Sequence, residues 1–295
     1  MIDYCFSLLA KYLPKYSRPF LWVGDFFERK FRTFDNRLTR TFNKSQYIPS
    51  MNSRLGGGHS SYTDWCFQSG VYSSLVAAEV EKHGRVRVLD VGCGVGSIIP
   101  GILQVISKDS TYLGVDIDQV MIGQCKKVFK DSRVKFSVIS DTSTFYKTNK
   151  LNAQTISDIC KQKSFDVIIA KALFDHLTPK LIKSYLHIFR GALSKNGLII
   201  ATFFLIDYSY QNQKRNFGKR FQFDDDYIGE KGFKYSAKHN HIPEAQLAIE
   251  DWRLKEFLDQ ENLTINGLLK GTWRDDVNHS GVDMPDTLFI SHKDR

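Results

Sequence analysis

The feature that most constrains this chain is a short apolar run, Val86 to Leu89, that ends on Asp90 and enters the turn Asp90-Val-Gly92-Cys-Gly94-Val-Gly96. A helical pattern begins just after it, near Ser97. Alternate glycines suit a backbone that must swing from strand to helix through positive φ and leave a ligand room against the main chain. Downstream, strand-like and helix-like segments alternate. Strands are expected near Val86–Val91, Thr111–Asp116, Val134–Ser140, Phe165–Lys171, Gly197–Leu205, Leu263–Trp273 and Thr287–His292. Helices are expected over Gly96–Ser107, Gln119–Phe129, Ala153–Gln162, Pro179–Leu193 and Pro243–Gln260. This rhythm predicts an α/β fold with a helix-covered parallel sheet. The polar stretch from Arg274 to Asp286 has no helix-length apolar pattern, so the last two strands should pair antiparallel. The expectation is a Rossmann-like sheet of seven strands with the last one reversed.

The glycine spacing narrows the ligand. A dinucleotide fingerprint, G-x-G-x-x-G, would place its third glycine at Ser97, and no G-K-[ST] ending follows as in a phosphate loop. The second strand ends on an acid, Asp116, about twenty residues beyond the glycines, where a carboxylate can accept from ribose hydroxyls.

On these residues the chain resembles the class I S-adenosylmethionine-dependent methyltransferases. Val88-Leu-Asp90-Val-Gly92-Cys-Gly94-Val-Gly96-Ser97 looks like their first motif, and Leu113-Gly-Val-Asp116-Ile117-Asp118 matches the ribose strand. Ser140-Asp141 stands where family members meet the adenine amino group. Phe165-Asp166-Val-Ile-Ile-Ala170-Lys171, followed by Ala-Leu-Phe-Asp175-His176-Leu, resembles the motif beside the methionine part, and Lys195-Asn196-Gly197 the turn into the fifth strand. The resemblance spans roughly Tyr62 to His292. It implies S-adenosyl-L-methionine as cofactor, held by Asp90, Gly92, Cys93, Gly94, Gly96, Asp116, Ile117, Asp141 and Lys171, with Tyr62 on a flap over the site. Asp118 reads equally as a helix N-cap, Asp166 as a structural strand-start residue, and Cys93 as a small loop filler rather than a nucleophile.

A hydroxyl acceptor needs a base near the methyl group. Candidates are His176 and Asp175 after the fourth strand and His239 and His241 at the end of an insert over residues 207–241. His176 reads equally as a pocket wall. Substrate contacts are expected from His59, Trp65, Tyr208, Tyr210 and Trp273. The insert mixes aromatics with Lys214, Arg215, Lys219 and Arg220, a composition that can stack on a ring and meet phosphate. No metal is expected, since only Asp175 and Asp207 offer themselves as ligands.

Residues 1–50 are read as a basic amphipathic helical extension and residues 51–295 as the catalytic domain. The extension carries nine Lys and Arg against four Asp and Glu, so +5 of the net +9 lies there. Residues 1–45 are the part expected to touch a membrane surface peripherally. Five scattered cysteines without a C-x-x-C pair fit a reducing, cytoplasmic setting. The leading expectation is methylation of a small-molecule or glycan hydroxyl. The alternatives are an RNA or other nucleic-acid methyltransferase and a non-catalytic subunit of the same fold. The first lacks the N/D-P-P-[YFW] tetrapeptide of base amino methylation after the fourth strand, and the second has no need of intact glycines.

Overall fold

A computed structural model of the chain describes Phe26 and residues 62–140, 154–161, 163–208, 210, 222–236, 243–274 and 283–293. The expectations placed on His59, Asp141, His239, His241, the Tyr62 side chain and, apart from Phe26, the basic extension fall outside these residues.

The order is α1 (Tyr62–His83), β1 (Arg87–Val91), α2 (Ile99–Val105), β2 (Thr111–Asp116), α3 (Gln119–Val128), β3 (Val134–Val138), α4 (Ile156–Cys160), β4 (Phe165–Ala170), α5 (Pro179–Ala192) and β5 (Leu193–Ile206). Then follow β6 (Phe223–Asp226), β7 (Phe233–Ser236), β8 (Leu247–Glu250), α6 (Asp251–Gln260), β9 (Leu263–Leu269) and β10 (Asp286–His292). Strands β3-β2-β1-β4-β5 lie side by side and parallel. Strand β10 runs antiparallel to both β5 and β9. This is the Rossmann-like fold expected, with its reversed last strand. The chain winds outward from β1 in one direction and from β4 in the other, so their carboxyl ends flank the crevice where such sheets bind ligands.

Central strands read as continuous apolar runs because both faces are covered. On one face Val88, Val167, Ile169 and Ile200 pack against Tyr72 and Val76 of α1, Ile99 and Ile102 of α2 and Cys125 of α3. On the other, Leu89, Ile168, Ile199 and Ala201 meet Ile159 of α4, Ile182, Leu186 and Phe189 of α5 and Leu254 and Phe257 of α6. Two acids are explained by this frame. Asp118 caps α3, accepting from the N–H groups of Val120 and Met121. Asp166 accepts from the backbone N–H and guanidinium of Arg87, tying the starts of β1 and β4.

The sheet departs from expectation at its far end. A single helix over Pro243–Gln260 is not what forms: Pro243–Ala245 makes a 3-10 turn, Leu247–Glu250 is strand β8, and the helix starts only at Asp251. Leu247-Ala-Ile has no strong local preference, and pairing decides it. Strand β8 lies parallel to Phe204–Ile206 of β5 and antiparallel to β7, with Leu247, Ala248 and Ile249 all buried. Part of the insert is therefore a β6–β7 hairpin that continues the sheet. The strand expected over Leu263–Trp273 stops at Leu269. A Cβ on Gly271 would lie 2.3 Å from the carbonyl oxygen of Met284, so the chain there passes too close to its neighbour for a side chain.

Candidate functional site

The glycine turn leaves β1 at the crevice with all three glycines in left-handed backbone: φ is 77° at Gly92, 53° at Gly94 and 77° at Gly96. Side chains adopt that region only at a cost. The turn is fastened from below, where the N–H groups of Gly92 and Cys93 both donate to the carbonyl of Val115 in β2, at 2.9 and 3.1 Å. Its crown is fastened by Asp116, whose carboxylate accepts the Gly94 N–H at 2.8 Å and the Asp118 N–H at 2.8 Å. Burial raises the Asp116 carboxyl above its ordinary range, while those N–H groups pull it back. Each carboxylate oxygen still has a lone pair for a ribose hydroxyl.

Asp90 is buried beneath the turn and accepts a hydrogen bond from the Tyr112 hydroxyl. Burial pushes its carboxyl up to about 7. The Tyr112 hydrogen bond opposes the rise, Asp116 adds to it and the positive charge of Lys171 reduces it. Cys93 contributes its backbone to the turn, but its buried thiol faces inward toward Cys125. A hydrogen bond with Cys125, then burial, holds the Cys93 thiol well above its usual range, so it is no nucleophile. The Cys125 thiol in turn donates to the Gly94 carbonyl at 3.4 Å. Ile117, expected at the cofactor, is partly buried and packs against the core.

After β4 the chain carries Lys171 to the same crevice. Ala172 follows in left-handed backbone, φ 49°, with its N–H held by the Thr202 hydroxyl at 2.7 Å. Leu173 then leans over Gly92, where a Cβ would meet its Cδ1 at 3.4 Å. Next comes the 3-10 turn Phe174–His176. Asp175 is 5% exposed, and its Oδ1 is buried without a hydrogen-bond partner among the described residues. The His176 ring places Nε2 3.4 Å from Asp175 Oδ2 and Nδ1 3.3 Å from the carbonyl oxygen of Glu244. Glu244 itself is buried and accepts from the Tyr227 hydroxyl at 2.7 Å.

Three expected substrate residues sit elsewhere. Trp65 is 1% exposed in α1. Tyr210 is 2% exposed, packs on Phe223 and Trp273, and its hydroxyl accepts from the Phe223 N–H at 2.8 Å. Trp273 is 1% exposed and donates its indole N–H to Asp286 at 3.1 Å. Tyr210 and Trp273 have both their apolar bodies and their polar ends occupied by packing. Among the described residues of that set, Tyr208 stands on the surface, 79% exposed. Two residues that the sequence reading passed over join the crevice instead. The Tyr72 hydroxyl of α1 donates to Asp283 Oδ2 at 3.1 Å, and Lys171 Nζ lies 3.7 Å from the same oxygen. No local motif marks either residue.

Residues 89–199 match the model of a family described as a methyltransferase domain. Among solved structures, a SAM-dependent methyltransferase from Leishmania major superposes with a TM-score of 0.51 at 14% identity, covering 83% of this chain and 79% of that one. Magnesium protoporphyrin IX methyltransferase from Synechocystis PCC 6803, solved with bound SAH, gives 0.46 at 15% identity over 91% and 96%. A SAM-dependent methyltransferase from Clostridium acetobutylicum ATCC 824 gives 0.46 at 12% over 77% and 92%. The match to a methyltransferase domain thus covers residues 89–199, and the fold is shared with the Leishmania major structure. No helix among the described residues is long and apolar enough to cross a membrane.

Proposed function

We propose that the chain methylates a hydroxyl of a small molecule or glycan, with the glycine turn and Asp116 holding the adenosyl end and the β4 loop and insert forming the acceptor side. The residues fit the cofactor. Three left-handed glycines open the turn toward the crevice, Asp116 keeps free lone pairs, and Asp90 and Lys171 offer opposite charges under the amino-acid end. When bound, the cofactor supplies a methyl group on a sulfonium, transferred by in-line displacement. The protein's own task is alignment and exclusion of water.

The observation that carries the acceptor reading is the tie between His176 and Glu244, which joins the β4 loop to the segment that follows the insert. A crevice roofed in this way suits a compact acceptor. His176 and Asp175 are the residues proposed to receive the hydroxyl proton: two acceptors face the two ring nitrogens, so a proton delivered to the ring lies beside a carboxylate. Asp90, Asp116, Asp175 and Asp283 crowd this end of the sheet. A nucleic-acid backbone would have to approach that negative charge, which favours the small acceptor over RNA.

The test is transfer of a labelled methyl group from S-adenosylmethionine into a fractionated lysate. Label in small or glycan fractions, stable to mild alkali as an ether and lost with Asp116→Ala, supports the reading. Label that follows RNA and is destroyed by ribonuclease overturns it.

A further inference from the structure

The His176 ring is addressed from two separate segments. Its Nδ1 lies 3.3 Å from the carbonyl oxygen of Glu244, and its Nε2 lies 3.4 Å from Asp175 Oδ2. A carbonyl oxygen can only accept, so the first contact requires a hydrogen on Nδ1. In a neutral imidazole that leaves the lone pair on Nε2. The nitrogen able to take a proton is therefore the one beside the carboxylate, where the positive charge that forms is stabilised.

The carbonyl is itself aimed. Glu244 lies in the 3-10 turn Pro243–Ala245, which is closed by the Gln246 N–H donating to the Pro243 carbonyl at 3.2 Å. Its side chain is buried, and one oxygen accepts from the Tyr227 hydroxyl at 2.7 Å. Burial, then the hydrogen bond with Glu244, raises the Tyr227 phenol above its ordinary range, so it remains a donor. Tyr227 directly follows β6, and its N–H donates to the Phe233 carbonyl at 2.9 Å, at the start of β7. The hairpin is fastened to β8 in turn, since the Glu250 N–H donates to the Gly232 carbonyl at 2.8 Å. From the β4 side, the His176 N–H donates to the Leu173 carbonyl at 3.1 Å and steadies the backbone that carries the ring. A continuous line of contacts thus runs from the β6–β7 hairpin to Nδ1.

We propose that Tyr227 and Glu244 are positioning residues that fix His176, through the Glu244 carbonyl, as the Nδ1–H tautomer and reserve Nε2 for the proton of the acceptor. The O–H bond of the acceptor breaks as the N–H bond forms on Nε2, beside Asp175. The hairpin in the insert thereby sets the protonation chemistry of a ring that the β4 loop carries. This rests on the reading of His176 and Asp175 as the residues that receive the hydroxyl proton.

The experiment reads the ring nitrogens by NMR of the full chain, labelled in its histidine nitrogens, with S-adenosylhomocysteine present at about pH 9, where an imidazole is neutral. His176→Gln assigns the signals by their loss. The parent should show a protonated Nδ1 and a bare Nε2. Tyr227→Phe and Glu244→Ala should shift the ring toward the Nε2–H tautomer by about 2- to 10-fold, the effect of one hydrogen bond. Glu244→Gln keeps an oxygen for the Tyr227 hydroxyl and should retain the parent pattern. If Glu244→Ala does not fold, Tyr227→Phe carries the same comparison. A Tyr227→Phe variant that melts at lower temperature with its tautomer unmoved has lost only structural support, and it overturns the proposal. A parent ring protonated on Nε2 overturns it as well. Methyl label that follows RNA, while the tautomer responds as described, defeats the hydroxyl reading and leaves the positioning of the ring standing.

Discussion

The Asp116 carboxylate holds the crown of the glycine turn through the Gly94 N–H, at 2.8 Å, so the residue proposed for the ribose also shapes the turn itself. Asp116→Ala leaves the Gly94 and Asp118 N–H groups without their acceptor, a loss of about 1–3 kcal/mol for each that stays buried. The expected result is a lower melting temperature together with loss of S-adenosylhomocysteine binding. A variant that melts like the parent yet binds nothing would separate the two roles.

The three glycines should respond differently to alanine. At Gly94 a Cβ meets nothing closer than the Met121 sulfur at 3.9 Å, so the cost is the left-handed backbone alone, about 1–2 kcal/mol. At Gly96 a Cβ would also lie 2.7 Å from Ile99 and 2.8 Å from Phe129, which adds about 1–3 kcal/mol of overpacking. Denaturant titration should rank Gly96→Ala well below Gly94→Ala in stability. The reverse order would contradict the packing described for the turn.

Asp286 is fully buried and accepts three hydrogen bonds: from Leu205 N–H at 3.1 Å, Gly271 N–H at 2.9 Å and the Trp273 indole at 3.1 Å. Asp286→Ala strands these donors and should cost about 3–5 kcal/mol or prevent folding. Trp273→Phe loses one of the bonds and should lower the melting temperature. Methyl transfer measured well below the melt should keep the parent KM for the acceptor. A raised acceptor KM with unchanged melting would return Trp273 to the substrate site.

Asp90 makes stability depend on pH near neutrality. Its carboxyl titrates near 7 in the folded chain and near 3.8 as an ordinary carboxyl, so between those values the folded state binds the extra proton. Stability from this group is complete below about pH 4 and is lost as pH rises through about 7, by on the order of 4 kcal/mol. Asp116, raised in the same direction, adds to the decline. Urea midpoints should therefore fall between pH 5 and pH 8 in the parent, and Asp90→Asn should flatten the curve. An unchanged slope in that variant would locate the titration elsewhere.

The glycine turn and its strands were legible because their signals are local. Positive-φ glycines, an acid closing β2 and apolar strands of five or six residues are each written within one stretch of chain, and the structure places Gly92, Gly94, Gly96 and Asp116 together. The other half depends on partners far away in sequence. Leu247-Ala-Ile-Glu250 becomes a strand only because β5 and β7 flank it. Tyr72 and Asp283 meet across 211 residues. Tyr210 and Trp273 looked like ligand aromatics by composition, but packing with Phe204 and Phe223 absorbs them. An aromatic side chain reads the same in a list whether it faces a ligand or a core.

Strand β5 is 14 residues long and has three partners in succession: β4 and β10 over the lower part, and β8 over Phe204–Ile206. The parallel strands that carry the glycine turn and the hairpin-bearing extension are thus joined to one spine at different heights. A substitution near Phe204–Ile206 therefore acts on β8 and the β6–β7 hairpin, whereas one near Leu198–Ala201 acts on β4 and β10.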